Sequence, residues 1–297
     1  MKKILVTGMK GQVGFELMKT LAPLGKVIGV DVNECDLAQS AMIDALLDRV
    51  KPDIIINPAA YTAVDKAESE PTVAHAVNAQ APKTLARQAS RRNIPIIHFS
   101  TDYIFDGTKD GSYLEDDPAN PKSVYGKTKW LGEEAVRSNA AKHVILRTSW
   151  VFGAHGVNFL KTMLKLSKER DKMSVVSDQF GAPTSARMLA EVTAEIVRQL
   201  LQEFSYRKYG TYHLVAEGET SWHGYAKYVV ERANAMGLET KLDPKNIKPI
   251  KTKEFPLPAP RPANSRLDTT KVRETFGITL PAWQSEVDHV LAELISS

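Results

Sequence analysis

The sequence predicts an α/β protein with a doubly wound, Rossmann-like parallel sheet and a smaller C-terminal lobe. In the first half of the chain, short apolar runs alternate with longer stretches whose apolar residues recur at helical spacing. Strand and helix in alternation imply right-handed crossovers between parallel strands. A glycine-rich turn, Gly8 to Gly14, directly follows the first apolar run. The length of 297 residues and the hydrophobic content of 43% are sufficient for a large core.

Five apolar runs, rich in β-branched residues and bounded by turn residues, are predicted as strands buried on both faces. They are Lys3–Thr7, Lys26–Asp31, Asp53–Asn57, Pro95–Ser100 and His143–Thr148. The helices predicted between them are Phe15–Leu24, Ala41–Lys51, Val73–Asn93 and Lys127–Ser138. Pro52 and Pro95 support two of the helix ends, because proline disfavours a helical conformation in the residue before it.

After Val151 the alternation is less regular. Helices are predicted at Asn158–Glu169, Ala186–Phe204, Trp222–Met236 and Pro281–Ile295, and short strands at Met173–Val176 and Thr211–Val215. Thr220 and Ser221 are candidate helix caps, and the prolines between Phe255 and Pro262 predict an extended loop. We expect residues 1–153 to form the sheet lobe and residues 154–297 mainly the second lobe, with segments near 173–215 returning to the sheet.

Charge and cysteine content narrow the class of protein. Lys and Arg number 39 and Asp and Glu 35, and the net charge of +4 is scattered along the chain. Nucleic-acid-binding proteins concentrate their basic residues, so no nucleic-acid partner is expected, whereas an anionic small molecule suits this charge. A single cysteine, Cys35, indicates a reducing, cytoplasmic compartment. The N-terminal apolar run ends at Thr7, too early for a signal peptide, and no run reaches the roughly 18 apolar residues of a membrane span.

The glycine turn predicts a dinucleotide site in the first lobe. Gly8, Gly11 and Gly14 have the spacing G-x-x-G-x-x-G between the first strand and the first helix. Glycines in this position let the backbone turn sharply, approach a pyrophosphate and pack the helix on the sheet. The N-terminus of the helix then offers free N–H groups to the phosphates.

Two nearby residues favour different forms of the cofactor. Asp31 ends the second strand, where a carboxylate can accept hydrogen bonds from a ribose and thereby favours NADH. Lys10, inside the glycine turn, is a cation that could lie near the additional phosphate of NADPH. The sequence predicts a reduced nicotinamide cofactor without deciding between the two.

A second motif predicts acid–base chemistry. Tyr125 and Lys129 are four residues apart, a spacing that places both on one face of a helix. A nearby ammonium is expected to lower the pKa of the phenol from its usual value of about 10. Ser100 and Thr101 leave the end of the fourth strand, and strand ends border the ligand crevice in a parallel sheet. A hydroxyl from either residue is therefore expected to face Tyr125.

Together these motifs resemble the extended short-chain dehydrogenase/reductase superfamily and, within it, the dTDP-4-dehydrorhamnose reductase family. The matching segments span the whole chain. They are Gly8–Gly14, Asn57–Glu68, Ser100–Gly107, Tyr125–Lys129, Arg147–Gly153, Asp178–Thr184 and Arg261–Ser265. The resemblance implies an NADPH- or NADH-dependent oxidoreductase that reduces the C4 keto group of a nucleotide-linked sugar, and a second lobe that mainly binds this substrate.

The resemblance also implies the residues of the cofactor site. Gly8, Gly11, Gln12, Val13 and Gly14 would surround the pyrophosphate, Asp31, Asp36 and Leu37 would border the adenosine, and Ala60, Tyr61 and Thr62 would line the cofactor behind the third strand. Lys129, together with Tyr125, would hold the nicotinamide ribose.

For the substrate, the resemblance implies that Thr101 holds the keto group, Asp102 a sugar hydroxyl, and that Trp150 packs against the sugar. Arg261 is the candidate for the diphosphate, because its guanidinium suits two-point contact with phosphate. Tyr125 would donate the proton, tuned by Lys129 and assisted by Thr101.

Alternatives remain within this scaffold and outside it. A sugar-nucleotide dehydratase or epimerase is one, although such dehydratases typically carry Glu after the Asp of the fourth strand, where this chain has Tyr103. A non-catalytic regulatory subunit, like that of methionine adenosyltransferase, is another. The resemblance also allows a homodimer and a Mg²⁺ ion held by surface glutamates such as Glu16, Glu191 or Glu293, without assigning ligands.

Overall fold

A six-stranded parallel sheet organises the first half of the protein. The computed structural model describes residues 1–202 and 208–296. Its strands, in chain order, are β1 (Lys3–Thr7), β2 (Lys26–Val30), β3 (Ile54–Asn57), β4 (Ile96–Thr101), β5 (His143–Thr148), β6 (Val151–Phe152), β7 (Met173–Val176), β8 (Phe180–Gly181), β9 (Thr184–Ser185), β10 (Gly210–His213), β11 (Thr220–Ser221) and β12 (Ile247–Ile250). The sheet has the order β10-β5-β4-β3-β1-β2. The predicted Rossmann-like α/β class is confirmed.

Helices cover both faces of this sheet and build the second lobe. In chain order they are α1 (Gln12–Thr20), α2 (Ser40–Val50), α3 (Val64–Ser69), α4 (Pro71–His75), α5 (Ala81–Arg91), α6 (Val124–Asn139), α7 (Phe159–Glu169), α8 (Ala186–Gln202), α9 (Trp222–Ala235), α10 (Thr270–Phe276) and α11 (Trp283–Ile295). One face of the sheet packs on α2, α5 and α6, and the other on α1 and α8.

The order of the strands determines where a ligand can bind. β1 pairs with β2 on one side and with β3 on the other, so the winding of the chain reverses between β1 and β3. In open parallel sheets a ligand crevice forms at such a reversal, beyond the carboxyl ends of the strands. The glycine turn after β1 and Thr101 at the end of β4 both lie on this edge.

Several predicted boundaries are wrong for local reasons. α1 begins at Gln12 rather than Phe15, because Gly11 has the extended conformation of a cap and the helix starts inside the glycine motif. The helix predicted at Val73–Asn93 is divided into α4, a π-helical turn at Ala76–Gln80, and α5. Pro82 follows this π turn as the second residue of α5.

α6 begins at Val124, three residues before the predicted start. Its cap is Ser123, whose Oγ accepts a 3.0 Å hydrogen bond from the Gly126 N–H. Tyr125 therefore lies in the first turn of α6. At the start of α9, the predicted cap Ser221 accepts the Gly224 N–H at 3.0 Å, which confirms that candidate.

The second lobe is connected to the sheet rather than separate from it. β10 joins the large sheet beside β5, whereas β7 pairs with β12 in a two-stranded sheet. The predicted end of α8 at Phe204 lies outside the described residues. A continuous apolar core runs from Ile4 of β1 to Tyr225 of α9 and Trp283 of α11. The boundary at residue 153 stays a prediction.

Helices α3 and α10 and strand β12 were not predicted. Each is short, and α3 and α10 span only six and seven residues, so their sequences carry little periodic signal. The expected loop at residues 255–262 has no regular secondary structure. Among the described residues, no helix combines the length and the apolar character that crossing a membrane would need.

Candidate active site

The glycine turn is shaped by two close backbone approaches. Gly8 has a φ of +59°, and a Cβ added there would lie 3.0 Å from the Cα of Ala59 in the loop after β3. A Cβ on Gly14 would lie 2.0 Å from the backbone oxygen of Gly8, so only glycine lets α1 pack on the turn. Gly11 donates its N–H to the same Gly8 oxygen at 3.0 Å. The turn thus leaves open backbone at the N-terminus of α1, which suits a pyrophosphate.

Asp31 and Lys10 are linked through the backbone. The Oδ2 of Asp31 accepts a 3.0 Å hydrogen bond from the Lys10 N–H, and its Oδ1 accepts one of 2.8 Å from the Val32 N–H. The carboxylate therefore stabilises the glycine turn in addition to facing the crevice. The two residues whose charges favour different cofactors are held side by side, with the Lys10 side chain exposed.

One cleft of about 780 Å³ brings most of the predicted site together. Its volume lies in the range of about 300–1,000 Å³ that is usual for small-molecule sites. The predicted residues that line it are Gly8, Gly11, Gln12, Val13, Gly14, Asp31, Asp36, Leu37, Ala60, Thr62, Thr101, Asp102, Tyr125, Lys129 and Trp150.

Tyr61 and Arg261 are the predicted site residues that do not line the cleft. The phenol of Tyr61 donates a 2.6 Å hydrogen bond to Glu70, and its backbone N–H bonds to Asn78 at 2.8 Å. Arg261 forms a 2.7 Å ion pair with Asp65. Their predicted contacts with ligands stay predictions.

The phenol of Tyr125 is buried at the floor of the cleft, with 9% of the residue exposed. Burial raises the pKa of Tyr125 to about 12, although a hydrogen bond with the side chain of Thr101 acts in the opposite direction. The expected lowering of this pKa by Lys129 is therefore wrong. Desolvation disfavours the phenolate more strongly than the neighbouring groups favour it.

Lys129 contacts the sheet. Its Nζ donates a 2.6 Å hydrogen bond to the backbone oxygen of Phe99 in β4, and the residue is 1% exposed. Burial lowers the pKa of Lys129 to about 8, while the charge of Glu133, one turn further along α6, acts to raise it. The ammonium is held beside the cleft floor by a backbone oxygen, with the charge of Glu133 nearby.

Thr101 and Asp102 form a hydrogen-bonded pair at the end of β4. The Thr101 hydroxyl donates to Asp102 Oδ1 at 3.0 Å and accepts the Tyr103 N–H at 3.2 Å. Asp102 is 2% exposed, and burial raises its pKa to about 6, although hydrogen bonds from Ser265 and Thr101 act to lower it. Among the described residues, Asp102 Oδ2 has no hydrogen-bond partner. A buried carboxylate oxygen at the cleft is suited to accept a ligand hydroxyl.

Trp150 closes the other side of the cleft. Its φ of +50° is unusual for a large residue and turns the chain sharply after β5. The indole stacks on Trp222 of α9 with ring centroids 3.8 Å apart. A flat aromatic surface thus connects the sheet lobe to the second lobe at the cleft.

Comparison with known proteins identifies the family. The family described as RmlD substrate binding domain matches residues 1–296. A dTDP-4-dehydrorhamnose reductase of Shigella flexneri is 45% identical over 298 residues, which cover 99% of this chain and 98% of that protein. This chain belongs to the dTDP-4-dehydrorhamnose reductase family.

Solved structures agree with this family and fold. The dTDP-4-dehydrorhamnose reductase of Clostridium acetobutylicum has a TM-score of 0.90 and 36% identity, with 99% of this chain and 100% of that chain covered. That of Bacillus anthracis, solved in complex with NADP, has a TM-score of 0.90 and 32% identity over the same shares of the chains.

In this member of the reductase family, an ion pair behind Lys129 was missed by the sequence analysis. Glu133 is fully buried, and its carboxylate accepts hydrogen bonds of 3.0 Å and 2.9 Å from Arg147 of β5 and one of 2.9 Å from Arg137. These contacts hold the pKa of Glu133 below its usual value against the effect of burial. The helical spacing of Lys129 and Glu133 was visible, but the partner on β5 is revealed only by the fold.

The structure gives no support to a metal site. Over residues 1–202 and 208–296, no group of three or more His, Cys, Asp or Glu side chains is arranged to hold a metal ion. Glu16 pairs with Lys19 and Glu191 with Arg187.

Proposed function

We propose that this protein reduces the C4 keto group of dTDP-4-dehydro-L-rhamnose to dTDP-L-rhamnose with NADH or NADPH, a step in the synthesis of precursors for cell-surface polysaccharide. The observation that carries the proposal is the placement of Tyr125, Thr101 and the glycine turn in one cleft. Family membership supports the substrate class, and the open backbone of the turn fits a dinucleotide.

The nicotinamide cofactor supplies a hydride when it is bound. Tyr125 supplies the proton to the oxygen on which negative charge develops. Its raised pKa keeps the phenol protonated near neutral pH, which is the state a proton donor needs before the reaction. The Thr101 hydroxyl lies close enough to Tyr125 to lower the pKa of its phenol, and it can stabilise the same oxygen by donating to it instead of to Asp102.

Lys129 contributes charge at the cleft floor. Its ammonium is fixed by the Phe99 oxygen and by the charge of Glu133, so it does not need to reorganise when the phenol loses its proton. A cation there favours the phenolate that forms transiently on Tyr125. Asp102 is proposed to accept a sugar hydroxyl, and Trp150 to pack against the sugar ring.

Tyr103 favours simple reduction over dehydration. It follows Asp102 at the cleft, where a dehydratase of this scaffold typically has a glutamate. Burial raises the pKa of Tyr103 above its usual value, so its phenol cannot remove a carbon-bound proton near neutral pH.

The test monitors the oxidation of NADH and of NADPH through the absorbance of the reduced nicotinamide. The keto-sugar nucleotide is generated in the same mixture. We expect turnover with one or both cofactors and a product of the mass and chromatographic behaviour of dTDP-L-rhamnose. Tight cofactor binding without oxidation would contradict the proposal and favour another keto-sugar or a non-catalytic role. A higher kcat/KM with NADH would agree with the cofactor that Asp31 favours, and a higher value with NADPH would agree with the cofactor that Lys10 favours.

We also propose a cellular location and an oligomeric state for the protein. A cytoplasmic location fits the lone, buried thiol of Cys35. We expect a homodimer, which light scattering on the purified protein tests directly.

A further inference from the structure

The proline-rich segment 255–262 is attached to the sheet lobe by one carboxylate. Asp65, the second residue of α3, accepts the Ala259 N–H on Oδ1 at 3.1 Å and the Arg261 Nη2 on Oδ2 at 2.7 Å. The Nη1 of Arg261 donates to the Ala259 oxygen at 3.0 Å. The three groups form a closed ring of hydrogen bonds in which the guanidinium has a single orientation.

This ring lies next to residues that line the cleft. Val64, next to Asp65, lines the cleft, as does Tyr103, whose pKa responds to the charges of both Arg261 and Asp65. Tyr103 in turn packs edge-on against Tyr125, with ring centroids 5.4 Å apart.

The far end of the segment is packed against the loop that follows β4. A Cβ on Gly107 would lie 2.7 Å from the Cα of Pro262, so the two backbones are in direct contact. Further along the chain, Ser265 lies close enough to Asp102 to lower the pKa of that carboxyl. The chain from Ala259 to Ser265 therefore runs from Asp65 to the neighbourhood of Asp102, which lines the cleft.

Arg261 retains capacity for an anion. Its guanidinium has five N–H groups, and the hydrogen bonds found among the described residues use two of them. The side chain is 16% exposed, so the remaining donors lie in a partly desolvated place where a contact with phosphate is stronger than in water.

We propose that Asp65 is a positioning residue for substrate binding: it fixes segment 259–261 so that the Arg261 guanidinium is held ready for the diphosphate of the nucleotide sugar. This inference rests on the proposed function. Asp65 acts through Arg261 and does not itself contact the substrate. Ordering the loop and the guanidinium before binding removes an entropic cost from the binding step, and the prolines restrict the loop further.

The test compares Asp65→Asn with the wild type in the coupled reductase assay and in calorimetric titration with dTDP. We expect KM for the nucleotide sugar and Kd for dTDP to rise about 10- to 100-fold. kcat should change less than about threefold and Kd for NADH should stay the same, because the cofactor end of the cleft does not use this ring. Asp65→Glu, which keeps the charge, should recover part of the affinity.

Two further variants separate positioning from general destabilisation. In an Arg261→Gln background, Asp65→Asn should add little, because its effect passes through Arg261. Asp288→Asn removes a comparable ion pair, 2.8 Å from Arg232 between α9 and α11, and should leave KM unchanged.

An unchanged or lower KM in Asp65→Asn would overturn the inference. It would also be overturned if Asp65→Asn raised KM in the Arg261→Gln background by the same factor as in the wild type. If Asp65→Asn unfolds below the assay temperature, KM and the Kd for dTDP are compared instead for Asp65→Glu and Arg261→Lys. A wild type that binds dTDP but reduces no keto-sugar would overturn the proposed reaction, while the dTDP titrations would still decide the role of Asp65.

Discussion

The Nζ of Lys129 lies 2.6 Å from the backbone oxygen of Phe99, on the strand next to its own helix. The hydrogen bond places a buried ammonium under the cleft floor, with the charge of Glu133 one turn away. Burial lowers the pKa of Lys129 to about 8, whereas it raises the pKa of Tyr125 to about 12. As the pH rises, the lysine is therefore expected to lose its proton well before the phenol does.

The pH profile of the reaction should show this order. We expect kcat/KM to fall above pH about 8, because the neutral amine no longer favours the phenolate that forms on Tyr125. Initial rates measured from pH 6 to pH 10 give this alkaline fall of kcat/KM. Lys127→Gln removes an exposed lysine of the same helix and should leave the pH at which kcat/KM falls unchanged. A rate that stays constant up to pH 10 would contradict the role of the Lys129 charge.

Stability should depend on the protonation of Asp102. The pKa of this carboxyl is raised to about 6 in the folded protein from 3.8, so between these values the folded state holds a proton that the unfolded state has released. Stability is then lost as the pH rises through this window. Asp102→Asn should raise the free energy of unfolding at pH 7 by an amount on the order of 2 kcal/mol while reducing activity.

Urea unfolding at pH 7 and below pH 4 measures this effect, and the gain should vanish at the lower pH. Asp106→Asn is the control of opposite sign, because hydrogen bonds from Thr108 lower the pKa of Asp106, so its ionised form stabilises the fold. A loss of stability in Asp102→Asn at pH 7 would show that the carboxylate is better solvated than its burial indicates.

Tyr125→Phe should abolish most of the turnover. Removing a general acid typically costs about 10²- to 10⁴-fold in rate, and we expect a loss in kcat of that size with Kd for NADH unchanged within about twofold. Tyr228→Phe, which removes a phenol of α9 that donates a hydrogen bond to Asp288 of α11, is the matched control and should stay active. Near-normal turnover of Tyr125→Phe would assign the proton to another group.

Glu133→Gln should destabilise the fold strongly. It leaves Arg147, which is 2% exposed, without its charged partner, and breaking a buried ion pair costs about 3–5 kcal/mol. Glu134→Gln, at the next residue, removes a half-exposed carboxylate paired with Arg137 and should cost about 0.5 kcal/mol or less. Equal effects of the two substitutions on urea midpoints would show that the buried pair contributes no more than a surface pair.

Much of the fold could be predicted because its signals are local. β1 to β5 are continuous apolar runs, and the glycines of the turn meet a requirement that is visible within a few residues. The predicted starts of α1 and α6 came too late in the chain, because the first turns of both helices include glycine, which weakens the helical pattern.

The residues that line the cleft were largely predictable from the sequence, but their pKa values were not. Fifteen of the predicted site residues line one cleft, since the ends of parallel strands meet at one edge. The pKa values depend on burial and on partners distant in sequence, such as Ser265 for Asp102 and Arg147 for Glu133. The sequence spacing of Tyr125 and Lys129 therefore suggested the wrong direction for the pKa of the phenol.

By itself the sequence determined the fold class, and it predicted the glycine turn and the residues proposed to carry the chemistry, because periodicity, glycine spacing and strand ends are local properties of a chain. Only the tertiary structure decided that Lys129 contacts Phe99, that Glu133 pairs with Arg147, and that Asp65 holds Arg261. Each of these contacts joins separate elements. Their strength depends on how far folding removes the charges from water, and no local pattern encodes that quantity.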